Sequence, residues 1–240
     1  SQLQYYKEVE DAAREALGPE NVAHLWCSGH LMRISNPAAS SVGTTAGPIK
    51  RVHNDFTEEY GDIIRERYTT HPAKSAVHFR QQLKDLKGLS FTEDEMAGYR
   101  VVVLNTWRPI GEGPLLREPL AVCDCRSIDK EDLTKIRTGI GKSDDDPDDD
   151  FALEVFLSRH NPAHRWHHVP GFTNQELLIF KTYDSAQTPF IPTMHSAFHL
   201  PDEEGVPPRE SCEARVIALM KTPVQPSAQP SAQPSAQSKL

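Results

Sequence analysis

The hydrophobic positions in the first part of the chain recur with the spacing of an amphipathic helix. This period predicts three helices, over residues 3–17, 58–68 and 72–86. Thr92 and Glu95 have the spacing of a capping box, which predicts one further helical turn. All four segments precede residue 98, so we expect them to flank the rest of the fold.

Beyond residue 98 the pattern changes to short runs that favour β-strands. The strongest run, 99–107, contains Val101, Val102 and Val103. Other strands are predicted over 119–125, 151–157, 165–169, 176–183 and 212–220, and two earlier ones, 22–27 and 31–34, on either side of a turn at Ser28-Gly29. One short helix, capped by Asp129, is predicted over 130–137. Short strands close to turn signals indicate an α+β, mainly β fold: an antiparallel barrel or jelly-roll sandwich with flanking helices.

Three segments break this pattern. Residues 36–47 are rich in Ser, Thr, Ala and Gly, which predicts a loop; it could be a lid over a neighbouring site or an ordinary surface loop. Residues 143–150 hold six aspartates but lack the Gly and Glu of an EF-hand, so we interpret them as a solvated loop. Residues 224–240 repeat Pro-Ser-Ala-Gln, which predicts a disordered tail after a single domain over 1–223.

The tail closes on Ser238-Lys239-Leu240, a tripeptide that the peroxisomal import receptor reads. We therefore expect an intracellular protein, peroxisomal if the tripeptide is read and otherwise cytoplasmic. The four cysteines lack metal-finger spacing and are too few for a disulfide scaffold, which is consistent with reduced thiols in that environment.

Charge and hydropathy narrow the range of partners. The chain has 34 acidic and 26 basic side chains, which argues against nucleic acid or an anionic membrane as its main partner. It contains no apolar run near the roughly 20 residues that a membrane span requires. The sequence leaves a homo-oligomer open. It begins at Ser1 rather than Met, which is consistent with a missing N-terminal portion.

Candidate metal chemistry lies at His53 and Asp55. In an extended segment, residues i and i+2 point to the same side, so this His-x-Asp pair could reach one ion. A solvated pair in a loop would look the same. With a second, distant histidine such as His195, the pair would supply the two-histidine, one-carboxylate facial triad of non-haem Fe(II) oxygenases. Two neutral imidazoles and one carboxylate leave a divalent ion able to bind an anionic co-substrate.

Seven blocks along the chain occur in the order found in one family. They are Val52-His53-Asn54-Asp55, Leu104-Asn105-Thr106-Trp107-Arg108-Pro109-Ile110, Pro119-Leu120-Ala121-Val122-Cys123-Asp124, Arg165-Trp166, Leu178-Ile179-Phe180-Lys181-Thr182-Tyr183-Asp184-Ser185, His195-Ser196-Ala197-Phe198 and Pro208-Arg209-Glu210-Ser211-Cys212-Glu213-Ala214-Arg215. Together they resemble the fungal hydroxylase/desaturase family. Its members are regarded as Fe(II)- and 2-oxoglutarate-dependent oxygenases of secondary metabolism and are related to cephem methoxylase components. The resemblance covers roughly residues 20–220.

The resemblance implies a double-stranded β-helix, a cupin-like jelly-roll barrel, with His53, Asp55 and His195 as the iron ligands. It implies Fe(II), 2-oxoglutarate and O₂ as cofactor and co-substrates, and hydroxylation or desaturation of a small molecule. The long gap between Asp55 and His195 then requires helices and the acidic loop to be inserted between the metal strands.

A 2-oxoglutarate enzyme also needs a cation for the distal carboxylate of the co-substrate. An arginine fork suits a carboxylate better than a lysine does. In the wider superfamily this arginine often occurs as Arg-x-Ser after the distal histidine. Arg209 with Ser211 fits, and Arg215, further along the same strand, is the competing candidate.

Three further side chains are candidates for the co-substrate pocket. Asn105 follows the strongest strand run and could orient the co-substrate at the mouth of the barrel. By the period-two rule, Lys181 and Tyr183 share one face of their strand, either towards the pocket or outwards.

Two functions other than an oxygenase remain open at this point. One is a metal-binding barrel without catalytic activity that serves as an accessory subunit. The other is a zinc-dependent hydrolase or isomerase on the same barrel. The triad together with a candidate arginine favours the oxygenase.

Overall fold

Two largely antiparallel β-sheets and four helices make up the computed structural model, which describes residues 1–35, 45–137 and 153–221. The helices are α1 Gln2–Leu17, α2 Tyr60–Tyr68, α3 Lys74–Lys87 and α4 Glu93–Ala97. The strands are β1 Val22–Ile34, β2 Thr45–Ala46, β3 His53–Asn54, β4 Arg100–Pro109, β5 Leu120–Cys123, β6 Leu133–Arg137, β7 Glu154–Ser158, β8 Trp166–His168, β9 Leu178–Asp184, β10 His195–Ala197 and β11 Glu210–Met220.

The strands form a five-stranded sheet in the order β2-β1-β11-β4-β9 and a six-stranded sheet in the order β6-β7-β3-β10-β5-β8. Strands distant in sequence are neighbours in both sheets: β11 lies between β1 and β4, and β10 lies between β3 and β5. Among the strand pairs in the described residues, only the short β1–β2 pair is parallel. Two such sheets are the arrangement expected of a jelly roll.

The five-stranded sheet is buried on both sides, because successive side chains of its central strands alternate between two cores. Val102 and Val216 pack with α1, whereas Val103 and Ile217 pack with the side chains of α2 to α4. This explains why 99–107 reads as a continuous apolar run rather than an alternating one. The helices predicted before residue 98 are confirmed, and Thr92 and Glu95 form the capping box.

The prediction of two strands around a turn at Ser28-Gly29 is wrong. A single strand, β1, runs through this point and pairs with β11 along its whole length. The register shifts between Cys27 and Gly29, so the Ser-Gly signal marks a β-bulge rather than a reversal of the chain.

The helix predicted over 130–137 is also wrong. A short 3₁₀ turn, Lys130–Asp132, is followed by strand β6, which pairs with β7. Leu133 packs against the cluster around Phe156, and this tertiary contact decides between two local structures that the sequence favours about equally.

Some predicted segments lie outside the described residues. These are most of the loop 36–47, the acidic run 143–150 and the tail 224–240 with its terminal tripeptide. Within the described part of the chain, no helix combines the length and apolar character of a membrane span. The four cysteines are free thiols, as expected, and three of them are buried.

Candidate metal centre

Strand pairing in the six-stranded sheet brings the two distant histidines together. His53 begins β3, His195 begins β10, and the two residues are directly paired in antiparallel register. Their ring centroids are 4.4 Å apart. Asp55 follows β3 by one residue, and one donor atom from each of the three side chains lies within 4.8 Å of the others. Among the described residues this is the single group of histidine, cysteine and acidic side chains able to hold an ion.

Both imidazole rings are oriented by a backbone carbonyl. Nδ1 of His53 lies 2.7 Å from the carbonyl oxygen of Arg51, and Nδ1 of His195 lies 3.1 Å from that of Thr193. Since a carbonyl can only accept, Nδ1 carries the proton in each ring and Nε2 keeps its lone pair. The two Nε2 atoms lie 3.5 Å and 3.9 Å from Oδ1 of Asp55. This tautomer is the one that metal-ligating histidines need.

The other carboxylate oxygen of Asp55 is held from the five-stranded sheet. Oδ2 accepts hydrogen bonds from the Asn105 amide at 2.8 Å and the Arg215 guanidinium at 2.9 Å. Burial raises the pKa of Asp55, but Arg215 and the two imidazoles outweigh it and hold the pKa below its usual range. Asp55 is therefore an anion whose Oδ1 is directed towards the histidines.

Asn105 and Arg215 reach the same oxygen because they face each other across neighbouring strands. Asn105 of β4 is in register with Arg215 of β11. The Arg215 guanidinium also stacks on the Phe56 ring at 4.7 Å, which fixes its orientation. Both residues orient a metal-site carboxylate. Arg215 is thus already committed, which favours Arg209 as the co-substrate cation.

Arg209 lines a cleft together with both histidines and is only 2 % exposed. Its Nε donates to the Ser211 hydroxyl at 2.9 Å and its Nη1 to the backbone carbonyl of Glu118 at 2.8 Å, while the guanidinium lies over the Trp107 ring. Burial, with repulsion from Arg33, lowers the pKa of Arg209 to about 10, so it remains a cation at neutral pH. The predicted Arg209–Ser211 pair is therefore present as a hydrogen-bonded unit.

Arg209 shares a small cleft of about 10 Å³ with the two histidines; it is lined by Arg33, Ile49, His53, Leu120, His195, Ser196, Ala197, Arg209 and Glu213. Arg33 and Glu213, which our sequence reasoning missed, form an ion pair at 3.1 Å inside it. Glu213 could have been found, because period-two alternation puts it on the same face of β11 as Ser211 and Arg215. Arg33, on a strand misread as two pieces, carried no such signal.

A larger cavity of about 500 Å³ opens beside the triad; its lining includes two triad residues, His53 and Asp55, and also Arg215. Its apolar and aromatic walls come from Leu31, Ile49, Tyr60, Tyr68, Phe79, Val155 and Leu157, and its lining also includes the charged side chains Arg33, Arg51, Arg67 and Glu213. Its size and lining suit a small organic molecule. A separate cavity of about 630 Å³ beside Lys135 and Phe190 contains no triad residue, so we place the chemistry in the cavity that does.

Lys181 and Tyr183 are not brought to this site. A register shift in β9 opposite Val103 and Leu104 inserts an extra residue between them, so the prediction that they share a face is wrong. Lys181 is exposed and pairs with Asp184 at 2.6 Å. Tyr183 is buried, and its hydroxyl donates to the Glu58 carbonyl at 3.3 Å. Neither side chain lines the triad cavity or the cleft.

Comparison with known proteins gives one family and a set of fungal relatives. Residues 2–219 match the family described as "Oxidoreductase/YMDC permease-like domain". The chain is 29 % identical to hydroxylase/desaturase efuI of Hormonema carpetanum, covering 89 % of this chain and 69 % of the relative. It is 28 % identical to hydroxylase/desaturase CTB9 of Cercospora beticola, covering 88 % and 61 %. The chain thus spans between three fifths and seven tenths of these relatives.

A solved structure shares the fold. The iron and alpha-ketoglutarate-dependent endoperoxidase NvfI superposes with a TM-score of 0.62 at 23 % identity, covering 90 % of this chain and 69 % of the other. This likeness confirms the predicted jelly-roll fold. The resemblance to fungal hydroxylase/desaturases, inferred from seven short blocks, is confirmed by the relatives.

Proposed function

The chain belongs to the oxidoreductase/YMDC permease-like domain family, and from this premise and the geometry of its site we propose that it is an Fe(II)- and 2-oxoglutarate-dependent oxygenase acting on a small molecule. Its relatives include proteins named as hydroxylase/desaturases and as alpha-ketoglutarate-dependent dioxygenases. They support the predicted iron, 2-oxoglutarate and O₂. Hydroxylation or desaturation in fungal secondary metabolism is the activity we assign.

One observation carries the proposal. One ligand atom each from His53, Asp55 and His195 lies within 4.8 Å of the others, and the two histidines also line a cleft that includes the buried cation Arg209. The donor set fits Fe(II), and the backbone carbonyls already select the tautomer that metal binding requires. A dianion that chelates the metal at one end and meets an arginine at the other matches this arrangement.

When bound, iron and 2-oxoglutarate supply the oxidising chemistry: O₂ decarboxylates the 2-oxo acid to succinate and CO₂, and a C–H bond of the substrate is oxidised. The chain contributes position and environment. His53, Asp55 and His195 would hold the metal, and Arg209 with Ser211 would receive the distal carboxylate. Asn105 and Arg215 fix Asp55.

We assign the substrate to the 500 Å³ cavity, because it shares two triad residues. Three aromatic side chains, Tyr60, Tyr68 and Phe79, line it together with aliphatic ones. These walls, with Arg51 and other charged side chains also in the lining, favour a small molecule that combines an apolar body with a polar or anionic group.

Anaerobic titration tests the proposal. Wild-type protein with Fe(II) should develop a weak visible charge-transfer absorption as 2-oxoglutarate is added, and on exposure to O₂ it should form succinate. His53→Ala should lose this absorption because iron is no longer held. Arg209→Met should keep iron but require about a hundredfold more 2-oxoglutarate, since the charge-assisted bonds to the distal carboxylate are lost.

The competing functions predict other results. Turnover that persists without O₂ and 2-oxoglutarate, with zinc as the metal, would identify a hydrolase or isomerase. Metal binding without any succinate formation would identify an accessory barrel. Normal 2-oxoglutarate titration by Arg209→Met would remove Arg209 from the role assigned to it.

A further inference from the structure

The backbone carbonyl that holds Arg209 belongs to a residue with an unusual conformation. Glu118, just before β5, has φ of +47°. It is the one non-glycine residue with positive φ in the described part of the chain. A left-handed backbone is strained for any L-residue other than glycine, and such outliers persist where the surroundings over-determine them. The conformation directs the Glu118 carbonyl to Nη1 of Arg209, 2.8 Å away.

The side chain and amide of Glu118 are fixed by three other segments. Its carboxylate, only 4 % exposed as a residue, pairs with Lys50 at 2.5 Å and accepts the Ser35 hydroxyl. Its backbone N–H donates to the Glu203 carboxylate at 2.7 Å. These contacts come from the end of β1, from the segment before β3 and from the loop before β11. A buried carboxylate with a lysine partner thus holds the backbone in its left-handed conformation.

Ser35 connects the contacts of Glu118 directly to Arg209. Its hydroxyl lies 3.0 Å from the backbone N–H of Arg209, and its own N–H donates to the Arg209 carbonyl at 2.9 Å. The same serine therefore contacts both the Glu118 carboxylate and the Arg209 backbone. Glu118 therefore fixes Arg209 at two points. Its carbonyl holds the guanidinium, and its carboxylate holds the main chain of Arg209 through Ser35.

We propose that Glu118 is a positioning residue for 2-oxoglutarate: anchored by Lys50 and Ser35, it presents its carbonyl to Arg209 and so aims the guanidinium at the distal carboxylate. The inference rests on the oxygenase function proposed above. A guanidinium has five N–H donors in a rigid fork. Ser211 and Glu118 engage one donor each, on Nε and Nη1. Two fixed points define the plane of the fork and the direction of the remaining donors.

The test compares two ligands in the Fe(II)-loaded protein under anaerobic conditions. One is 2-oxoglutarate, and the other is 2-oxopentanoate, which has the same carbon chain without the distal carboxylate. Glu118→Gln keeps the size of the side chain and removes its charge. We expect this variant to bind 2-oxoglutarate roughly tenfold more weakly, as is usual when a residue that orients a ligand-binding group is lost. The affinity for 2-oxopentanoate and for Fe(II) should be unchanged.

A second variant distinguishes a positioning role of Glu118 from misfolding caused by replacing this buried glutamate. Lys50 is 45 % exposed, so Lys50→Met should fold normally while it removes the anchor of Glu118 from the other side. It should weaken 2-oxoglutarate binding in the same direction, again with no effect on 2-oxopentanoate.

Glu10 offers a matched control. It is also a buried glutamate with a lysine partner, Lys87 at 2.6 Å, and its other oxygen accepts the Cys27 backbone N–H at 2.9 Å. It lines neither the triad cavity nor the cleft. Glu10→Gln should change thermal stability as Glu118→Gln does but leave both ligand affinities at the wild-type values.

The outcomes separate this inference from the function on which it rests. If wild type gives no 2-oxoglutarate complex, both fall. If Arg209→Met weakens 2-oxoglutarate binding but Glu118→Gln and Lys50→Met do not, the function stands and Glu118 has no positioning role. Equal losses for 2-oxoglutarate and 2-oxopentanoate would show general damage to the metal site and would also overturn the inference.

Discussion

The two oxygens of Asp55 have different surroundings, and this difference defines the metal site at the scale of single residues. Oδ2 is held by Asn105 and Arg215, both from the five-stranded sheet. Oδ1 faces the two imidazole Nε2 atoms. A carboxylate anchored through one oxygen offers the other as a single, oriented ligand. Asn105, which the sequence suggested as a residue for the co-substrate, acts here on the metal ligand.

Asn105→Leu should weaken Fe(II) binding by roughly ten- to a hundredfold, because Asp55 loses a neutral donor that fixes its rotamer. The dissociation constant can be measured by anaerobic competition with a metal indicator. Thr106→Val is the matched control. Thr106 is the next residue of β4 and is also buried. Its hydroxyl donates to the Ala214 carbonyl at 3.2 Å and does not contact the triad. Unchanged iron affinity in Asn105→Leu would contradict this role.

The Arg33–Glu213 ion pair lines the cleft beside Arg209, where we place the distal carboxylate of the co-substrate. Removing the negative charge of Glu213 should strengthen binding of the dianionic 2-oxoglutarate, and removing the positive charge of Arg33 should weaken it. Glu213→Gln is therefore expected to lower the dissociation constant of 2-oxoglutarate severalfold, and Arg33→Met to raise it. Anaerobic titration of both variants measures the two effects. Shifts of the same sign would show that electrostatics in the cleft is not the cause.

At the scale of elements, the sequence predicted the helices and strands that a continuous run of residues determines. It did not predict the features that depend on pairing between strands. Strand β4 and the helices α1 to α3 follow from their own periodicity. Strand β10 has three residues, and the position of His195 beside His53 results from pairing between residues 142 positions apart in the sequence. Only the family resemblance pointed to it. The Ser-Gly signal near Ser28 does not by itself distinguish a bulge from a turn, and the bulge between Lys181 and Tyr183 leaves no local signal, because both depend on partner strands.

Asp184, at the end of β9, links that strand to β4. It accepts two bonds from Arg100, at 2.8 Å and 2.6 Å, and one from Lys181 at 2.6 Å. Burial raises the pKa of Asp184, but these partners and the Ala186 N–H outweigh it and lower the pKa to about 2 from an ordinary 3.8. A carboxyl group with a depressed folded-state pKa stabilises the fold above its unfolded pKa, and this contribution is lost as pH falls towards 2.

Asp184→Asn should therefore lower the free energy of unfolding by about 2 kcal/mol at pH 7. The difference from wild type should shrink as pH falls from 4 towards 2, because the wild-type carboxylate becomes protonated there. Urea denaturation at a series of pH values measures this. Asp62→Asn is the control, since Asp62 also pairs with an arginine, Arg65, but its side chain is 84 % exposed. A gap between Asp184→Asn and wild type that does not depend on pH would contradict the assignment.

At the scale of the whole molecule, the site is built from both sheets. The six-stranded sheet supplies His53 and His195, and the five-stranded sheet supplies Asn105, Ser211 and Arg215. Arg209 lies immediately before β11. Metal and co-substrate, bound as proposed, would connect the two sheets through contacts that neither sheet makes alone.

Ligand binding should consequently stabilise the whole fold in two separable steps. A ligand at 100 times its dissociation constant adds about 2.7 kcal/mol to the free energy of unfolding, which for a chain of this size raises Tm by on the order of 5–10 °C. Differential scanning calorimetry under argon should show one increment with Fe(II) and a further one with Fe(II) and 2-oxoglutarate together. Without metal, 2-oxoglutarate should give little shift, because its chelating end has no partner.

Two variants assign each increment to its sheet. His195→Ala should lose both increments, since the six-stranded sheet no longer holds the metal on which the co-substrate depends. Arg209→Met should keep the Fe(II) increment and lose most of the 2-oxoglutarate increment, because the five-stranded sheet no longer binds the distal carboxylate. If the two ligands stabilise independently, or if Arg209→Met retains the full second increment, then 2-oxoglutarate does not bridge the sheets as its placement in the cleft requires.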